Sequence, residues 1–226
     1  MTPEQLFKYN LPLFEGVTAN DLAGIPLQLA EARYAAWQTL FDQEDKSYDV
    51  YFLLSGSIFA VLWTDEGREI VFSRFPKGAY FGELAAFDGQ PRSLAVFAKT
   101  DARVLTMQRK TFLTLFEQVP VIRNRIVQVL VSRVRRLTAR NLEMTTMSVE
   151  RRVSMYLLRL AVEQDKLFGG AVITDAPTHA EIASSIGANR EMVSRSISKL
   201  AKQGAVKSSR QRIEILDPAA LSSAFS

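Results

Sequence analysis

Residues 178–216 read THAEIASSIGANREMVSRSISKLAKQGAVKSSRQRIEIL. Thr178 followed three residues later by Glu181 forms a capping box, which starts a helix just after Pro177. That helix supplies Ile182 and Ile186 to a core and stops at Gly187, and Asn189 caps the next one. Along the second helix Val193, Ile197 and Leu200 fall at i, i+4 and i+7 and face inward. Arg190, Glu191, Ser194, Arg195 and Ser198 are left outside, nearest the helix N-terminus. After Gly204 the segments AVK and RIEIL alternate around the polar SSRQ, the pattern of a β-hairpin. Two helices joined by a short glycine-containing turn, with a hairpin wing behind them, make a winged helix-turn-helix.

A recognition helix presents its N-terminal residues to base edges in the major groove. Arginine matches guanine O6 and N7 bidentately, and glutamate accepts from cytosine N4. Glu191 is a poor choice for a surface that approaches phosphates, yet it makes sense as a base reader. The residues expected to bind DNA are therefore Thr178, His179, Asn189, Arg190, Glu191, Ser194, Arg195, Lys199 and Lys207. Lys202, Arg210 and Arg212 join Lys207 as phosphate contacts, which position a domain without reading sequence. His179 opens the first helix as a phosphate or solvent contact. The competing reading is a small helical interaction domain with an ordinary charged face.

Upstream, residues 121–147 run without Gly or Pro. Val127, Leu130, Val134, Leu137, Asn141 and Met144 step alternately by three and four, a heptad seam flanked by arginines, and predict a dimer interface. A helix packed within its own chain is the alternative. Residues 149–163 form a further amphipathic helix with Val153, Tyr156, Leu157, Leu160 and Ala161 on one side, broken at Gly169–Gly170.

Further upstream the character changes. From about 33 to 108, VYFLLS, SIFAVLW, EIVFSRF, SLAVFA and RVLTM are rich in β-branched and aromatic residues. Glycines 56, 67, 78 and 89 recur every 11 residues, a spacing that predicts turns between short antiparallel strands of a roll or sandwich. Residues 1–30 read as short helices and turns. Within the β-rich stretch, FGELAAFDGQPRS (81–93) places Glu83 and Arg92 among apolar residues, bracketed by glycines. Two buried ions that only paired with each other would gain little, because desolvation offsets their attraction. A small polar ligand would employ both.

Composition narrows the function. The chain has 226 residues, no cysteine and one histidine. That excludes disulfides, thiolate metal sites and cysteine nucleophiles, and it disfavours histidine-based metal or triad catalysis. An enzyme on a cupin-like roll fails because His179 lies outside the roll, so the protein is expected not to be an enzyme. No apolar run approaches the roughly 18 residues of a membrane span, and MTPEQLFKYN lacks the regions of a secretory signal, so a cytoplasmic location without a membrane partner is expected. Residues 1–120 hold 11 Lys/Arg against 15 Asp/Glu, and residues 121–226 hold 17 against 9. The basic second half suits a polyanion such as double-stranded DNA.

From about residue 11 to 215 the chain resembles the cAMP receptor protein (CRP/FNR) family of bacterial transcription regulators, closest to its cyclic-nucleotide-binding branch. The resemblance rests on SG (55–56), GRE (67–69), FGELA (81–85), PRS (91–93) and REMVSR (190–195). It implies an α+β fold with an N-terminal antiparallel β-roll as cyclic-nucleotide-binding domain (1–119), a long dimerisation helix (120–147) and a C-terminal winged helix-turn-helix (148–226). By that resemblance Arg92, helped by Ser93, pairs with the cyclic phosphate, and Glu83 accepts from the ribose 2′-hydroxyl. Backbone around Gly82–Leu84 and Ser93–Leu94 completes the cradle, and Glu83 offsets Arg92 when no ligand is bound. The family's Thr-Ser pair, which meets the adenine amino group, falls at Leu137 and Thr138. Thr138 keeps a hydroxyl and Leu137 does not, which leaves cAMP as the first effector and cGMP or another small effector as alternatives. Leu94 stands where a smaller Ala is common. The cysteine-ligated cluster of the FNR branch and the haem of other relatives find no ligands here. The implied function is a homodimeric regulator of TGTGA-type palindromes with RNA polymerase as a partner. The alternatives are a ligand-independent DNA-binding regulator and a nucleotide module that regulates a protein.

Overall fold

The computed structural model describes residues 1–63, 69–174, 176–209 and 211–223, with backbone alone at 63, 69–72 and 223. Gly67 and Arg68 of the GRE motif and Arg210 of the expected phosphate set lie outside the described residues. Contacts divide the chain into two compact units, Met1–Val134 and Arg135–Ser226.

The first unit opens with α1 (Pro3–Phe7), whose cap is a Thr2/Gln5 capping box, and two 3-10 turns, Pro12–Phe14 and Asn20–Leu22. Strands β1 (Leu29–Tyr34), β2 (Thr39–Phe41), β3 (Val50–Ser55), β4 (Ile58–Trp63), β5 (Glu69–Phe75) and β6 (Tyr80–Phe81) follow, then helix α2 (Glu83–Asp88). Strands β7 (Ala95–Ala98) and β8 (Ala102–Met107), helix α3 (Arg109–Gln118) and the long helix α4 (Pro120–Thr146) come next. Two four-stranded antiparallel sheets result, ordered β1-β8-β3-β6 and β2-β7-β4-β5.

Strand β3 shows why the roll holds. All five residues from Val50 to Leu54 are buried. Tyr51 and Leu53 face Ile58, Phe81, Val96 and Val104 in one cluster. Val50, Phe52 and Leu54 pack instead with Leu13, Phe14, Phe112, Leu115 and Ile126 from the N-terminal turns, α3 and α4. Both faces of the strand are covered, so its sequence is a continuous apolar run rather than an alternation.

The strand reading of 33–108 needs two corrections. The first strand starts at Leu29, ahead of the expected start, because β1 pairs with β8 from Leu29↔Met107 to Tyr34↔Ala102 despite its polar LAEARY composition. The stretch 83–88 is a helix, because Gly82 (φ +84°) and Gly89 (φ +69°) turn the chain out of the sheet on either side.

The second unit holds the end of α4 and then α5 (Val149–Glu163), β9 (Ala171–Thr174), α6 (His179–Ile186), α7 (Arg190–Lys202), β10 (Val206–Ser209), β11 (Arg212–Ile215) and α8 (Pro218–Ser223). Its sheet runs β10-β11-β9, all antiparallel. The expected wing is present, with β9 added as a third strand. Val153, Leu157, Ile182, Ile186, Val193, Ile197, Leu200, Ile213 and Ile215 form one core. No helix among the described residues is long and apolar enough to cross a membrane.

Along α4, Ile122 and Ile126 are buried and Leu130 packs partly against the core of its own chain. Val127, Val134, Leu137, Asn141 and Met144 are exposed, as are Val131 and Leu142 beside them.

Candidate functional site

Arg92 and Glu83 are 2% and 1% exposed, and they do not pair with each other. The Arg92 guanidinium donates from Nε to Ser47 Oγ (3.0 Å), from Nη1 to the Gly82 carbonyl (2.8 Å) and from Nη2 to the Asp49 carbonyl (2.8 Å). It lies 4.2 Å from the centroid of the Phe41 ring and 5.6 Å from that of Tyr51, a cation–π placement that replaces part of the lost hydration. A Cβ at Gly82 would stand 2.6 Å from Arg92 Nη1 and 3.0 Å from the Asp49 carbonyl oxygen, so this position takes only glycine. These three hydrogen bonds of the guanidinium go to two carbonyls and a hydroxyl, none carrying a charge. Burial lowers the affinity of Arg92 for its proton, with Tyr51, Asp49 and Asp45 acting against the shift.

Glu83 is paired with Arg133 of α4, which also donates from Nη2 to the Tyr80 carbonyl (3.1 Å). The direct ion pair of Glu83 is thus with Arg133, while the Arg92 charge acts on it without a hydrogen bond. The two residues belong to one pocket, but each has its own set of partners. Burial is the main influence on the Glu83 carboxyl and pushes its pKa up, against the opposing pull of Arg133, its own backbone N–H and Arg92. The Tyr80 hydroxyl is buried with no hydrogen-bond partner among the described residues, and burial followed by the Glu83 charge raises its pKa. Gly82, Glu83, Leu84, Arg92, Ser93 and Leu94 all line one cavity of about 80 Å³, together with Arg133 and the apolar Phe41, Phe75 and Phe81. Six of the seven expected ligand residues are thus brought together. The seventh, Thr138, stands exposed on α4 next to exposed Leu137, in the second compact unit.

Sequence reasoning missed Arg133, Ser47 and Asp49. Arg133 was one of several arginines flanking a heptad seam, and nothing local marks it as the partner of a carboxylate 50 residues away.

In the second unit the expected caps form. Thr178 and Glu181 close a capping box, and Asn189 Oδ1 accepts from the Met192 N–H (2.8 Å). The side-chain oxygens of Thr178 and Asn189 therefore hold helix ends. Val193, Ile197 and Leu200 are buried, while Arg190, Glu191, Arg195, Ser198 and Lys199 are exposed. Ser194, Arg195, Ser198, Lys199 and Lys202 line a shallow basic depression on α7. His179 Nδ1 lies 2.8 Å from Ser194 Oγ and ties the start of α6 to the middle of α7. Lys207 and Arg212 are exposed on the hairpin. The outcome is a capped helix whose free face is basic apart from Glu191, the arrangement a major-groove reader needs.

Comparison with known proteins agrees with both halves. The cyclic nucleotide-binding domain model matches residues 31–119, and the Crp-like helix-turn-helix domain model matches residues 151–224. A CRP-like cAMP-activated global transcriptional regulator of Mycobacterium tuberculosis is 28% identical over 206 residues, 91% of this chain and 92% of that protein. The cAMP-activated global transcriptional regulator Vfr of Pseudomonas aeruginosa is 29% identical over 178 residues, 77% and 83% of the two chains. Among solved structures, FixK2 from Bradyrhizobium japonicum shares the fold, with a TM-score of 0.73, 19% identity and 86% and 96% of the two chains covered. A CRP-family transcriptional regulator from Thermus thermophilus has a TM-score of 0.66 at 27% identity, covering 84% and 94%. A cyclic nucleotide-binding domain followed by a Crp-like helix-turn-helix domain, together with CRP-like relatives along most of its length, places this chain in the CRP/FNR family of transcription regulators, as a cyclic-nucleotide-binding, DNA-binding regulator.

Proposed function

We propose that the protein is a homodimer that binds a cyclic nucleotide, cAMP, in the roll (1–119), dimerises through the long helix (120–147) and reads a TGTGA-type palindrome with the winged helix-turn-helix (148–226). The observation that carries the ligand reading is Arg92, a buried cation whose hydrogen-bond partners are all uncharged. A buried charge whose hydrogen bonds all go to neutral groups is costly to keep, and an anion entering the cavity beside it lowers that cost. A guanidinium fork fits two phosphate oxygens, and a carboxylate suits a hydroxyl donor. Arg92, with Ser93, takes the cyclic phosphate. Glu83 takes the ribose 2′-hydroxyl, and the backbone at Gly82–Leu84 and Ser93–Leu94 closes the cradle. The relatives described as cAMP-activated support cAMP as the effector.

On the DNA side, Arg190, Glu191 and Arg195 read bases. Thr178, His179, Asn189, Ser194, Lys199 and Lys207 fix the domain on the backbone. Val127, Val134, Leu137, Asn141 and Met144, with Leu130 at the inner edge, face the second copy. The ligand acts by binding the DNA-competent arrangement of the dimer better than the other, since only differential affinity moves an equilibrium. The regulator works in the cytoplasm on promoters served by RNA polymerase.

The test is fluorescence anisotropy of a labelled TGTGA-palindrome duplex at fixed salt, titrated with protein alone and with cAMP or cGMP. Tightening by cAMP supports the whole reading. Tightening by cGMP alone moves the base preference, which Leu137, without a hydroxyl for the adenine amino group, leaves open. Tight, specific binding that neither nucleotide changes removes the ligand half and leaves a ligand-independent DNA-binding regulator.

A further inference from the structure

The segment between β2 and β3 grips Arg92 at both its main chain and its side chain. The Glu44 N–H donates to the Arg92 carbonyl and the Arg92 N–H donates to the Asp45 carbonyl, each at 2.9 Å. The same segment supplies Ser47 Oγ to Nε and the Asp49 carbonyl to Nη2. The three guanidinium nitrogens are not equivalent in what they can give up. Each terminal nitrogen carries two N–H groups and Nε carries one. A phosphate that approaches the fork competes with the Gly82 and Asp49 carbonyls for the terminal N–H groups. The Nε–H bond to Ser47 lies outside that competition. It is also the only one of the three made by a side chain, and it fixes the guanidinium plane above the Phe41 ring, 4.2 Å away.

We propose that Ser47 is a positioning residue, whose hydroxyl holds the plane of the Arg92 guanidinium so that its terminal nitrogens meet the exocyclic oxygens of a bound cyclic phosphate. This rests on the reading that Arg92 takes the phosphate. Ser47 is half-buried and lies outside the cavity lining. Its effect reaches the ligand through Arg92.

The experiment titrates wild type, Ser47→Ala and Ser47→Thr with cAMP and with its two phosphorothioate diastereomers, in which sulfur replaces one or the other exocyclic oxygen. Sulfur accepts hydrogen bonds less well than oxygen, so a guanidinium held at a fixed angle distinguishes the two. Wild type is expected to prefer one diastereomer. Ser47→Ala is expected to bind cAMP about tenfold more weakly, the size of one charge-assisted hydrogen bond, and to bring the diastereomers toward equal affinity. Ser47→Thr, which keeps the hydroxyl, restores both. Thermal unfolding of each variant identifies any fold defect, and Ser47→Cys, close in volume but a weak acceptor, replaces Ser47→Ala should that variant not fold.

Unchanged affinity in Ser47→Ala overturns the proposal. So does a loss shared equally by all three ligands with the diastereomer ratio kept, which marks Ser47 as structural only, and so does a wild type that never discriminated. If wild type binds no cyclic nucleotide, the reading of Arg92 as the phosphate residue fails first and takes this one with it. Binding by wild type with no effect of Ser47 sinks this inference alone.

Discussion

Two ions of opposite sign sit 1–2% exposed in one pocket without pairing, and the reason lies in what each can reach. Arg92 is surrounded by carbonyl dipoles and aromatic faces, which stabilise a cation without neutralising it. Glu83 has Arg133. Burial nonetheless dominates Glu83 and holds its pKa above 4.5, the ordinary carboxyl value. The sign of the consequence follows from proton counting. Between 4.5 and the raised value, folded Glu83 keeps a proton that the unfolded chain has released. Stability from this group is complete below 4.5 and is lost as pH rises through the raised folded pKa. Urea unfolding of wild type and Glu83→Gln across about pH 4 to 8 should show wild type losing ground to the variant as pH rises, then levelling. Arg133→Gln, which removes the opposing charge, should carry that loss to higher pH. A wild-type-minus-variant difference independent of pH would contradict the assignment. The residues of this pocket that sequence revealed, Gly82 through Leu94, lie within 13 positions of one another. Those it hid, Ser47 and Arg133, lie 45 and 50 positions from their partners. Side-chain pairs that far apart leave no periodic trace.

Elements were legible in proportion to how locally they are specified. The caps of α6 and α7 are written in four-residue signals, and the inward stripe of α7 in its 3.6-residue period. Strand β1, half polar, and strand β9, four residues long, exist because of their partners β8 and β11. No local pattern separates β1 from a loop, and β9 is too short to show alternation. The turn between α6 and α7 depends on one residue. Gly187 has φ +64°, the left-handed region that side chains with a Cβ disfavour by about 1–2 kcal/mol. A Cβ there would also collide with Met144 Cε of α4. Gly187→Ala should therefore destabilise by roughly 2–3 kcal/mol, a little above the backbone cost alone. Combining it with Met144→Ala should remove the collision and leave the backbone part, so the two changes add to less than their sum. Chemical denaturation of the two single variants and the double variant measures this. Full additivity would mean that Met144 does not press on the turn. Thr178→Ala, which opens the capping box of α6, should cost about 1 kcal/mol in the same assay.

At the scale of the whole molecule, the feature that a single chain leaves unexplained is the apolar stripe on α4. Val127, Val131, Val134 and Leu137 are each 46–61% exposed on one helix, and Met144 follows at 44%. The inner face of the same helix is already committed, with Ile122 and Ile126 fully buried in the roll's core. A heptad stripe left over after the core is satisfied is what a second copy would cover. A two-fold dimer also gives DNA recognition its geometry, because two recognition helices about 34 Å apart match successive major grooves of a palindrome. Val134→Glu placed in that stripe adds two opposed carboxylates at the seam without touching Arg92, Glu83 or α7. Sedimentation should show wild type as a dimer and Val134→Glu shifted to monomer, with the fold of each chain kept. Affinity for the palindromic duplex should fall by at least tenfold, while affinity for a single half-site, measured at the same salt, changes little. Arg190→Ala should behave in the opposite way. It should leave the dimer intact and cost about 1–3 kcal/mol on cognate half-site and palindrome alike, with specificity relaxed at one base pair. If Val134→Glu stays dimeric and binds as wild type does, the stripe is not the interface, and the recognition helices must be paired through another surface.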